Sequence, residues 1–494
     1  MIQRISLREV VNTVGLAVYM MLAPLGLRKD QAYAIRAKLG VAVDKVSSLS
    51  RYKSVTFYVG KKVMIRWVGV RLLILKRKGS PAAGNEMREV TEPRLVVMPV
   101  VSEVPADGRV KRSAVTLVSM GYEVLIVAPQ TWSREKFRLP SDVPNWGPGI
   151  SFKLVPNGPD LFAFPDTYYQ PLADALMETP AWAYHCHDTH PIAATLIAAA
   201  KHNAYCVVDL HELRSENVTY NEVLGEWQPH TAEVRKEYER VERLAVNYAD
   251  RVITVSNGCA EVFHKKYGKR HIDIIRNIPA SYENPGVPEL DLRKYTDASS
   301  DELVLLYQGG LGRLRLLEYV IEALKFVPKC KFVIRGFGAS SEIGKEYLVC
   351  AKEHGVEDQV YLMEGTPVDR VVTEMQSADL GICTLSDIAA SFRLSLSNKV
   401  FEYMAAGLPM IVADYPDMGS FVREHDIGLC FSPRDPRSIA SAIRTLLDDR
   451  EALNRMKQNT TVALRANDSI SEWKKLSSIY HEFADMDRRS QVAQ

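Results

Sequence analysis

The sequence predicts an α/β protein in which two tandem Rossmann-like domains follow a basic N-terminal extension. From Arg94 onward, short aliphatic strands alternate with amphipathic helices at intervals of about 30 residues, a pattern typical of βαβ units and parallel sheets. The alternation stops at a connector rich in Pro, Asn, Ser and Asp, residues 277–301, and then starts again. The 494 residues are 47% hydrophobic and 25% charged, which is typical of a globular chain with several domains.

The first domain is predicted over residues 91–285. Its strands are read from RLVVMPVV, YEVLIVAP, AWAYHCH, AYCVVDLHE and DRVITVS, aliphatic runs of the kind that parallel sheets bury on both faces. Helices are predicted near residues 110–120 and over the charged segment 232–249.

The second domain is predicted over residues 301–465, after a linker at residues 286–300. Its strands are read from LVLLYQGG, KFVIRGFG, QVYLMEG, DLGICTL and LPMIVAD. Helices over residues 466–494, including SEWKKLSSIYHEFADM, are predicted to end the chain.

The extension, residues 1–90, holds most of the charge asymmetry. Residues 1–80 contain sixteen Lys and Arg but three acids, a charge of +13, whereas the rest of the chain carries −11. Arg beside Trp and Leu in residues 63–78 favours contact with an anionic membrane surface. The alternatives are an accessory domain with a basic surface and a membrane span over the uncharged residues 10–27. Nucleic acid is not expected, because residues 1–80 contain no recognisable binding motif.

The seven cysteines are scattered, odd in number and without a CxxC pair, which favours a reducing cytoplasmic compartment. We also find no secretory signal in the sequence. The predicted location is therefore cytoplasmic and peripheral, at the inner face of a membrane.

Two glycine-containing turns follow strands of the second domain. In YQGGLGRLRLLE, Gly309 and Gly310 allow a sharp turn close to a ligand, and a helix is expected from about Leu314. Arg313 and Arg315 would then stand at a helix N-terminus, which favours anions. An ordinary turn with solvated arginines is the alternative. In VIRGFGAS, Gly336 and Gly338 form a second close-approach turn, a weaker signal.

The stretch SLSNKVFEYMAAGLP is an apolar helix whose first turns nevertheless carry Asn398, Lys399 and Glu402. Ser397, Asn398 and Lys399 can present hydroxyl, amide and ammonium groups to a phosphate at the helix start. Glu402, one turn later, suits the two hydroxyls of a ribose. The pattern favours a bound nucleoside diphosphate; a surface ion pair between Lys399 and Glu402 is the alternative.

A cluster of histidines and acids closes two strands of the first domain, in AYHCHDTH and VVDLHELRSE. A substrate site that uses Asp209, His211 and Glu212 for hydrogen bonds is the favoured interpretation. A metal site is the alternative, but neither HExxH nor a Cys/His pair spacing occurs, so no metal is predicted.

These motifs resemble the retaining glycosyltransferases of family four. The matching elements include YQGGLGRLRLLE, VIRGFG, SNKVFEYMAAGLPMIV and IGLCFSPRDPRSIASAI in the second half, and YHCHDTH, DLHE and ADRVITVSNG in the first. The resemblance covers roughly residues 92–485. It implies the two-domain GT-B fold, with a nucleotide-sugar in the second domain and the acceptor in the first.

The resemblance also implies roles for individual residues. Arg315 would contact the diphosphate, Gly309 and Gly310 would face the donor, and Glu402 would bind ribose. His187 matches the histidine that contacts the transferring sugar, with His185 as the alternative register. The residues that match the first loop of the acceptor domain are Asp107, Gly108 and Arg109.

Two positions depart from the family pattern. The family commonly has two glutamates separated by seven residues, and the first of them is Leu394 here. The usual Gly-Gly of the first loop is Asp107–Gly108.

The predicted activity is retaining, metal-independent transfer of a sugar, from a UDP-sugar in preference to a GDP-sugar, to a lipid-linked or surface-glycan acceptor. No cofactor is expected besides this donor substrate. The alternative function is a catalytically weak partner subunit that binds nucleotide-sugar without turnover, which Leu394 favours. A nucleotide-sugar epimerase of similar fold is a further alternative, against which the Asn–Lys–x–x–Glu element argues.

Overall fold

Two all-parallel sheets organise the part of the chain that the computed structural model describes. These residues are 94–101, 107–130, 145–156, 170–221, 224–268, 271–279, 286–367 and 370–492. All of them belong to one compact unit. The predicted extension at residues 1–90, its possible membrane contact and the possible span at residues 10–27 lie outside the described residues.

The first sheet has seven strands in the order β3-β2-β1-β4-β5-β8-β9, and every pairing is parallel. Its strands are β1 (Leu95–Pro99), β2 (Glu123–Pro129), β3 (Ile150–Val155), β4 (Ala183–His187), β5 (Tyr205–Leu210), β8 (Arg251–Thr254) and β9 (Asp273–Ile274). A separate antiparallel hairpin, β6 (Val218–Asn221) and β7 (Glu226–Pro229), lies between β5 and β8 in the chain. The helices of this region are α1 (Gly108–Ser119), α2 (Gln170–Met177), α3 (Ile192–His202), α4 (Ala232–Tyr248) and α5 (Asn257–Tyr267), with a 3-10 turn at Arg214–Glu216.

The second sheet has six strands in the order β12-β11-β10-β13-β14-β15, again all parallel. Its strands are β10 (Leu303–Gln308), β11 (Cys330–Arg335), β12 (Val360–Met363), β13 (Leu380–Cys383), β14 (Met410–Ala413) and β15 (Gly428–Phe431). The helices are α6 (Leu292–Tyr295), α7 (Leu317–Leu324), α8 (Glu342–Glu353), α9 (Val371–Met375), α10 (Ala390–Arg393), α11 (Asn398–Ala405), α12 (Pro416–Glu424), α13 (Pro436–Asp448), α14 (Arg450–Ala466) and α15 (Ser469–Val492), with 3-10 turns at Arg313–Arg315 and Glu357–Gln359.

Each sheet is the middle layer of its own hydrophobic core. All six residues of β5 and of β10 are buried, because helices cover both faces of these central strands. The predicted fold class, α/β with two Rossmann-like domains, is confirmed. Strand order places the carboxyl ends of β1, β4 and β5 at one edge, and those of β10, β13 and β14 at one edge of the other sheet, where α/β proteins bind ligands.

The predicted linker is partly folded. Asp291 caps the short helix α6 by accepting hydrogen bonds from Arg293 N and Lys294 N, and Leu292 is completely buried in the core of the second sheet. Residues 291–295 are therefore fixed to the second sheet. Burial of the Leu292 side chain stabilises this position, although the polar composition of the segment predicted a linker.

The last helix, α15, returns to the first sheet. Trp473, Leu476, Ile479, Tyr480 and Phe483 are buried in the core of that sheet. At its start, Glu472 accepts hydrogen bonds from the backbone N of Arg276 at 2.7 Å and from its guanidinium, also at 2.7 Å. Within the described part of the chain, no helix has the length and apolar character that crossing a membrane requires.

Candidate active site

Helix α11 begins at the ligand-binding edge of the second sheet. Ser397 is its N-cap residue, and its Oγ accepts a hydrogen bond from Lys399 N at 3.4 Å. The apolar residues Val400, Phe401 and Tyr403 anchor the helix in the core. The first turn, with Asn398 and Lys399, therefore lies at the sheet edge, where the positive end of the helix dipole favours an anion.

The two glycine-containing turns touch each other. Gly309 has φ +139°, and its N donates to Arg335 O at 3.0 Å. A Cβ on Gly336 would lie 1.7 Å from Gly309 O, so this position accepts only glycine. The turns that follow β10 and β11 thus form one surface, and their close approach requires glycine at positions 309 and 336.

Lys399 lies on this surface. A Cβ on Gly309 would be 3.1 Å from Lys399 Nζ, and the ammonium group is 5.3 Å from the centre of the Tyr307 ring. Among the described residues no ion pair within 4.0 Å joins Lys399 to Glu402, although the Lys399 charge lowers the pKa of that carboxyl group. Burial raises the pKa of Cys383, while Lys399 and Arg315 lower it, so both cations act on the end of β13.

Arg313 and Arg315 do not stand together at a helix N-terminus, which differs from the sequence expectation. Both lie in a 3-10 turn, and the helix begins at Leu317 rather than near Leu314, after Leu316 adopts a left-handed φ of +53°. Arg313 is 64% exposed and forms an ion pair with Glu346. No carboxylate among the described residues pairs with Arg315, so Arg315 is the better placed of the two for a phosphate. Gly338 has a positive φ of +97°, in the turn that follows Gly336.

Glu402 is partly buried and lies three positions after Lys399 on the same helix. Burial raises the pKa of this carboxyl group, and the charges of Lys399 and Arg112 partly offset the effect. Arg112 belongs to α1 of the first domain, where its guanidinium lies 5.7 Å from the centre of the Trp473 ring. A charge from the first domain therefore acts on the carboxylate predicted to bind ribose.

His187 ends β4 and is fully buried, with His185 stacked on it at 4.7 Å between ring centres. His187 Nδ1 lies 3.1 Å from His211 Nε2, and His185 Nδ1 lies 3.0 Å from the hydroxyl of Tyr480 on α15. Burial lowers the pKa of His187 well below its ordinary value, so its ring is neutral at pH 7.

Arg109 and Asp209, both predicted on the acceptor side, bind each other. The Nε of Arg109 donates to Asp209 Oδ2 at 2.9 Å and Nη2 donates to Oδ1 at 2.8 Å, while Nη1 donates to Ile275 O at 2.9 Å. Burial alone would raise the pKa of Asp209. The charges of Arg109 and His211 lower it by more than burial raises it, so the net shift of the pKa is downward. This geometry fits an internal support of the site better than contact with an acceptor.

His185, His187 and Asp209 could offer three ligand atoms within 4.8 Å of one another. Both oxygens of Asp209, however, already accept hydrogen bonds from Arg109. A metal ion here would face a buried guanidinium across the carboxylate, and the like charges would repel each other. We therefore assign no metal to these residues.

A cleft of about 280 Å³ lies between the two domains. Its walls include six predicted site residues and six that were not among the predicted site residues. The predicted ones are Asp107, Arg109, His211, Glu212, Ser397 and Asn398, and the others are Val255, Asn277, Ser391, Phe392, Ser395 and Leu396. Asp107 caps α1, accepting from Arg109 N at 3.2 Å and Val110 N at 3.1 Å, and Gly108 is the first residue of that helix.

Leu394, which replaces the usual first glutamate, contacts the first domain. Its carbonyl oxygen accepts a hydrogen bond from Ser256 Oγ at 2.6 Å. A Cβ on Gly258 would lie 2.7 Å from Leu394 Cδ2 and 2.6 Å from Asp417 Oδ2. Asp417 itself accepts from Gly258 N at 3.0 Å, so the start of α5 forms the contact between domains.

Comparison with known families agrees with this two-domain arrangement. Residues 109–278 match the model described as Glycosyltransferase Family 4, and residues 290–462 match Glycosyl transferases group 1. Together the two models match more than half of the chain. The chain is a family-four-like glycosyltransferase of the GT-B fold. The resemblance read from the motifs is thereby confirmed, and each matched region corresponds to one of the two sheets.

Curated relatives of this glycosyltransferase match over part of their length. D-inositol 3-phosphate glycosyltransferase of Corynebacterium kroppenstedtii is 24% identical over 258 residues, 49% of this chain and 55% of the relative. Alpha-D-kanosaminyltransferase of Streptomyces kanamyceticus is 25% identical over 187 residues, 37% of this chain and 46% of the relative. The matches cover between 22% and 66% of the length of these curated relatives.

Solved structures share the fold at low identity. Sucrose-phosphate synthase of Thermosynechococcus elongatus aligns with a TM-score of 0.62 and 16% identity, over 80% of this chain and 100% of that one. HepE of Anabaena in complex with UDP-glucose aligns with a TM-score of 0.58 and 15% identity, over 79% of this chain and 100% of that one. At these identities the likeness shows the GT-B fold alone.

Several residues of this glycosyltransferase's site were missed by sequence reasoning. Tyr480 and Arg112 reach the site from helices α15 and α1. The hydrophobic periodicity of a helix does not specify which element it packs against. Arg214 was visible in DLHELRSE, but its role depends on Asp188, 26 positions earlier. The alternation of serine and apolar residues in SFRLSLSN was the available signal for Ser391.

Proposed function

We propose that the protein transfers a sugar from a nucleotide-sugar, a UDP-sugar in the first instance, to a lipid-linked or surface-glycan acceptor, with retention of configuration and without a metal. The observation that carries the proposal is the placement of Lys399 on the Gly309 turn at the start of α11. An ammonium group, a glycine turn and a helix N-terminus together favour the binding of an anion such as a diphosphate.

The diphosphate would be held by charges that the described protein groups leave unpaired. Lys399 and Arg315 act on the same strand end, and Ser397 and Asn398 begin the helix beside them. As the sugar–phosphate bond breaks, negative charge develops on the leaving diphosphate, and these groups would stabilise it. Binding of UDP and UDP-glucose by HepE supports the uridine donor.

The transferring sugar would lie between the domains, beside His187. Because burial lowers the pKa of its imidazole, His187 would be a weak base, and it would orient the sugar by a hydrogen bond rather than remove a proton. In a front-face reaction the acceptor hydroxyl oxygen bonds to the anomeric carbon as the sugar–phosphate bond breaks. The acceptor proton passes to the leaving phosphate oxygen.

The acceptor would enter from the side of the cleft formed by Asp107, His211 and Glu212. A lipid-linked acceptor would suit the basic residues 1–80, which would bring the enzyme to the inner face of an anionic membrane as a peripheral cytoplasmic protein. Matches to named glycosyltransferases favour catalysis over the partner-subunit alternative.

The test is release of nucleoside diphosphate from a panel of UDP- and GDP-sugars. Wild type is compared with Lys399→Ala and Glu402→Ala, and with the paired helix residues Lys325→Ala and Glu322→Ala as controls. We expect one donor to turn over, a loss of at least about tenfold in the two site variants, and no loss in the controls. EDTA should leave the rate unchanged.

Two outcomes would contradict the proposal. Binding of a UDP- or GDP-sugar without turnover would support the partner subunit instead and make Leu394 the leading cause. Absence of both binding and turnover for every donor in the panel would reject the proposed function.

A further inference from the structure

Arg214 joins two carboxylates at the acceptor side of the cleft. Its Nε and Nη2 donate to Asp188 Oδ2 at 3.1 Å and 2.8 Å, and Nε also lies 3.0 Å from Glu212 Oε1. Asn217 Nδ2 donates to the other oxygen of Glu212 at 2.6 Å. Glu212 lines the cleft, whereas Asp188 directly follows His187. One guanidinium therefore connects a wall of the cleft to the residue next to the histidine.

Asp188 has an unusual backbone conformation. Its φ of +61° is left-handed, a region that residues with a side chain seldom occupy, although Asp tolerates it better than most. Its N donates to Asp209 O at 2.8 Å, which continues the pairing of β4 with β5. Such a conformation is strained and persists where surrounding contacts hold it. The ion pair with Arg214 is the side-chain contact that holds it.

Arg214 is itself held in place. It opens the 3-10 turn Arg214–Glu216, and the next residue, Ser215, donates its N to Glu242 Oε1 at 2.9 Å. Glu242 is fully buried on α4, and its other oxygen accepts from the hydroxyl of Tyr267 at 2.6 Å. The turn is thus fixed to the helix layer beneath it, and the guanidinium has a defined origin from which to reach both carboxylates.

The charges explain why an arginine is needed here. Burial opposes ionisation of Asp188, but Arg214 and His211 outweigh it and the pKa of Asp188 is lowered. The pKa of Glu212 is raised by burial, and Arg214 limits the rise while the Asp188 charge adds to it. Without Arg214 no guanidinium charge would offset the repulsion between Asp188 and Glu212, and the pKa values of both carboxyl groups would rise. Among the described residues, the other titratable groups that interact with these charges include His190, His211, His230, Tyr238, Cys186 and Cys259.

We propose that Arg214 is a positioning residue for transfer: by holding Asp188 and Glu212 together, it fixes the turn that presents His187 and the carboxylate that faces the acceptor. This inference rests on the proposed function. The planar guanidinium directs Nε and Nη2 at Asp188 while Nε also faces Glu212, whereas a lysine ammonium supplies the charge from a single point. Charge and geometry can therefore be separated by substitution.

The experiment compares Arg214→Ala and Arg214→Lys with Arg251→Ala. Arg251 is a matched control, since it also lies in the first domain and bridges two acids, Asp273 and Glu482. For each variant we would measure UDP affinity by calorimetry, kcat and KM for nucleoside diphosphate release, and the pH profile of kcat.

Arg214→Ala should lower kcat at least about tenfold with UDP affinity within about twofold of wild type, because UDP binds the other domain. The acidic limb of its kcat-versus-pH profile should move up by about one pH unit, because Asp188 and Glu212 lose the neighbouring cation. Arg214→Lys should restore the acidic limb but only part of kcat. Arg251→Ala should lower the melting temperature and leave kcat and the pH profile unchanged.

The inference is overturned if Arg214→Ala and Arg251→Ala are equal in kcat and pH profile, since Arg214 would then support stability alone. If Arg214→Ala does not fold, Arg214→Lys decides: full kcat in that variant also overturns the inference. If the wild type binds a UDP-sugar without turnover, the readout becomes the affinity ratio of that UDP-sugar to UDP. Loss of this ratio in Arg214→Lys, but not in Arg251→Ala, supports the positioning role, and an unchanged ratio rejects it. Failure of the wild type to bind any donor rejects the proposed function instead.

Discussion

The side chain of Lys399 rests on the backbone of Gly309: a Cβ at position 309 would lie 2.9 Å from Lys399 Cε and 3.1 Å from Nζ. The two residues are 90 positions apart, on the turn after β10 and at the start of α11. Their contact places the ammonium group over a bare turn of backbone. This close approach is possible because position 309 has no side chain.

Gly309→Ala is therefore expected to weaken donor binding. The substitution adds a clash with Lys399 to the strain of a φ of +139°, and strain of this kind costs about 1–3 kcal/mol. UDP affinity measured by calorimetry should fall at least about tenfold. Gly355→Ala is the control, because Gly355 also has a positive φ, +66°, but no heavy atom lies within 4 Å of its added Cβ. Equal UDP affinity in both variants would contradict a donor role for this turn.

UDP affinity should fall in mild acid because of Glu402. The pKa of Glu402 is raised by burial, so the carboxylate that would accept ribose hydrogen bonds is present above that pKa and is lost as the pH falls through it. Glu402→Gln should bind UDP more weakly and lack this step. Because the phosphates titrate equally in both proteins, the difference between the two affinity-versus-pH curves isolates Glu402. Parallel curves would mean that Glu402 does not contact the nucleotide.

Leu394→Glu, which restores the usual family residue, should not raise turnover. Leu394 contacts the start of α5, so a glutamate there would place a second carboxylate near Asp417, whose pKa burial already raises. We expect a loss of about 1–3 kcal/mol in unfolding free energy, seen as a lower melting temperature. Leu394→Gln, of the same size without the charge, should lose less. A stable Leu394→Glu protein with faster nucleoside diphosphate release would show that position 394 reaches the donor sugar.

Glu472→Gln should destabilise the packing of α15 against the first sheet. Glu472 is almost fully buried and is held by Arg276. Removing its charge should cost about 2–3 kcal/mol, less than a fully buried pair because Arg276 is partly exposed. Burial opposes ionisation, but Arg276 and Lys475 outweigh it and lower the pKa.

A lowered carboxyl pKa stabilises the fold above the unfolded pKa, about 4.3 for Glu, and this stability is lost as the pH falls through the folded value. The gap in melting temperature between wild type and Glu472→Gln should therefore be widest near neutral pH and should narrow in acid. The exposed control Glu424→Gln should show no gap at any pH. A gap that is independent of pH would mean that the loss arises from packing rather than from charge.

The sequence by itself determined the fold class and singled out the main residues of the candidate donor site. Buried parallel strands are continuous aliphatic runs, and a helix that starts with Asn398–Lys399 and carries Glu402 keeps its pattern within eight residues. These signals are local, so they can be read from neighbouring residues. The chain order of βα units also placed the two ligand-binding edges.

The tertiary structure alone decided which distant residues meet. It paired Arg109 with Asp209 and Arg313 with Glu346, folded Leu292 into the second core and brought Tyr480 from α15 to His185. It also put Leu394 against Gly258 and joined Asp188 to Glu212 through Arg214. Such contacts depend on how sheets and helices pack across tens to hundreds of positions, and hydrophobic periodicity specifies which face of an element is buried but not its partner.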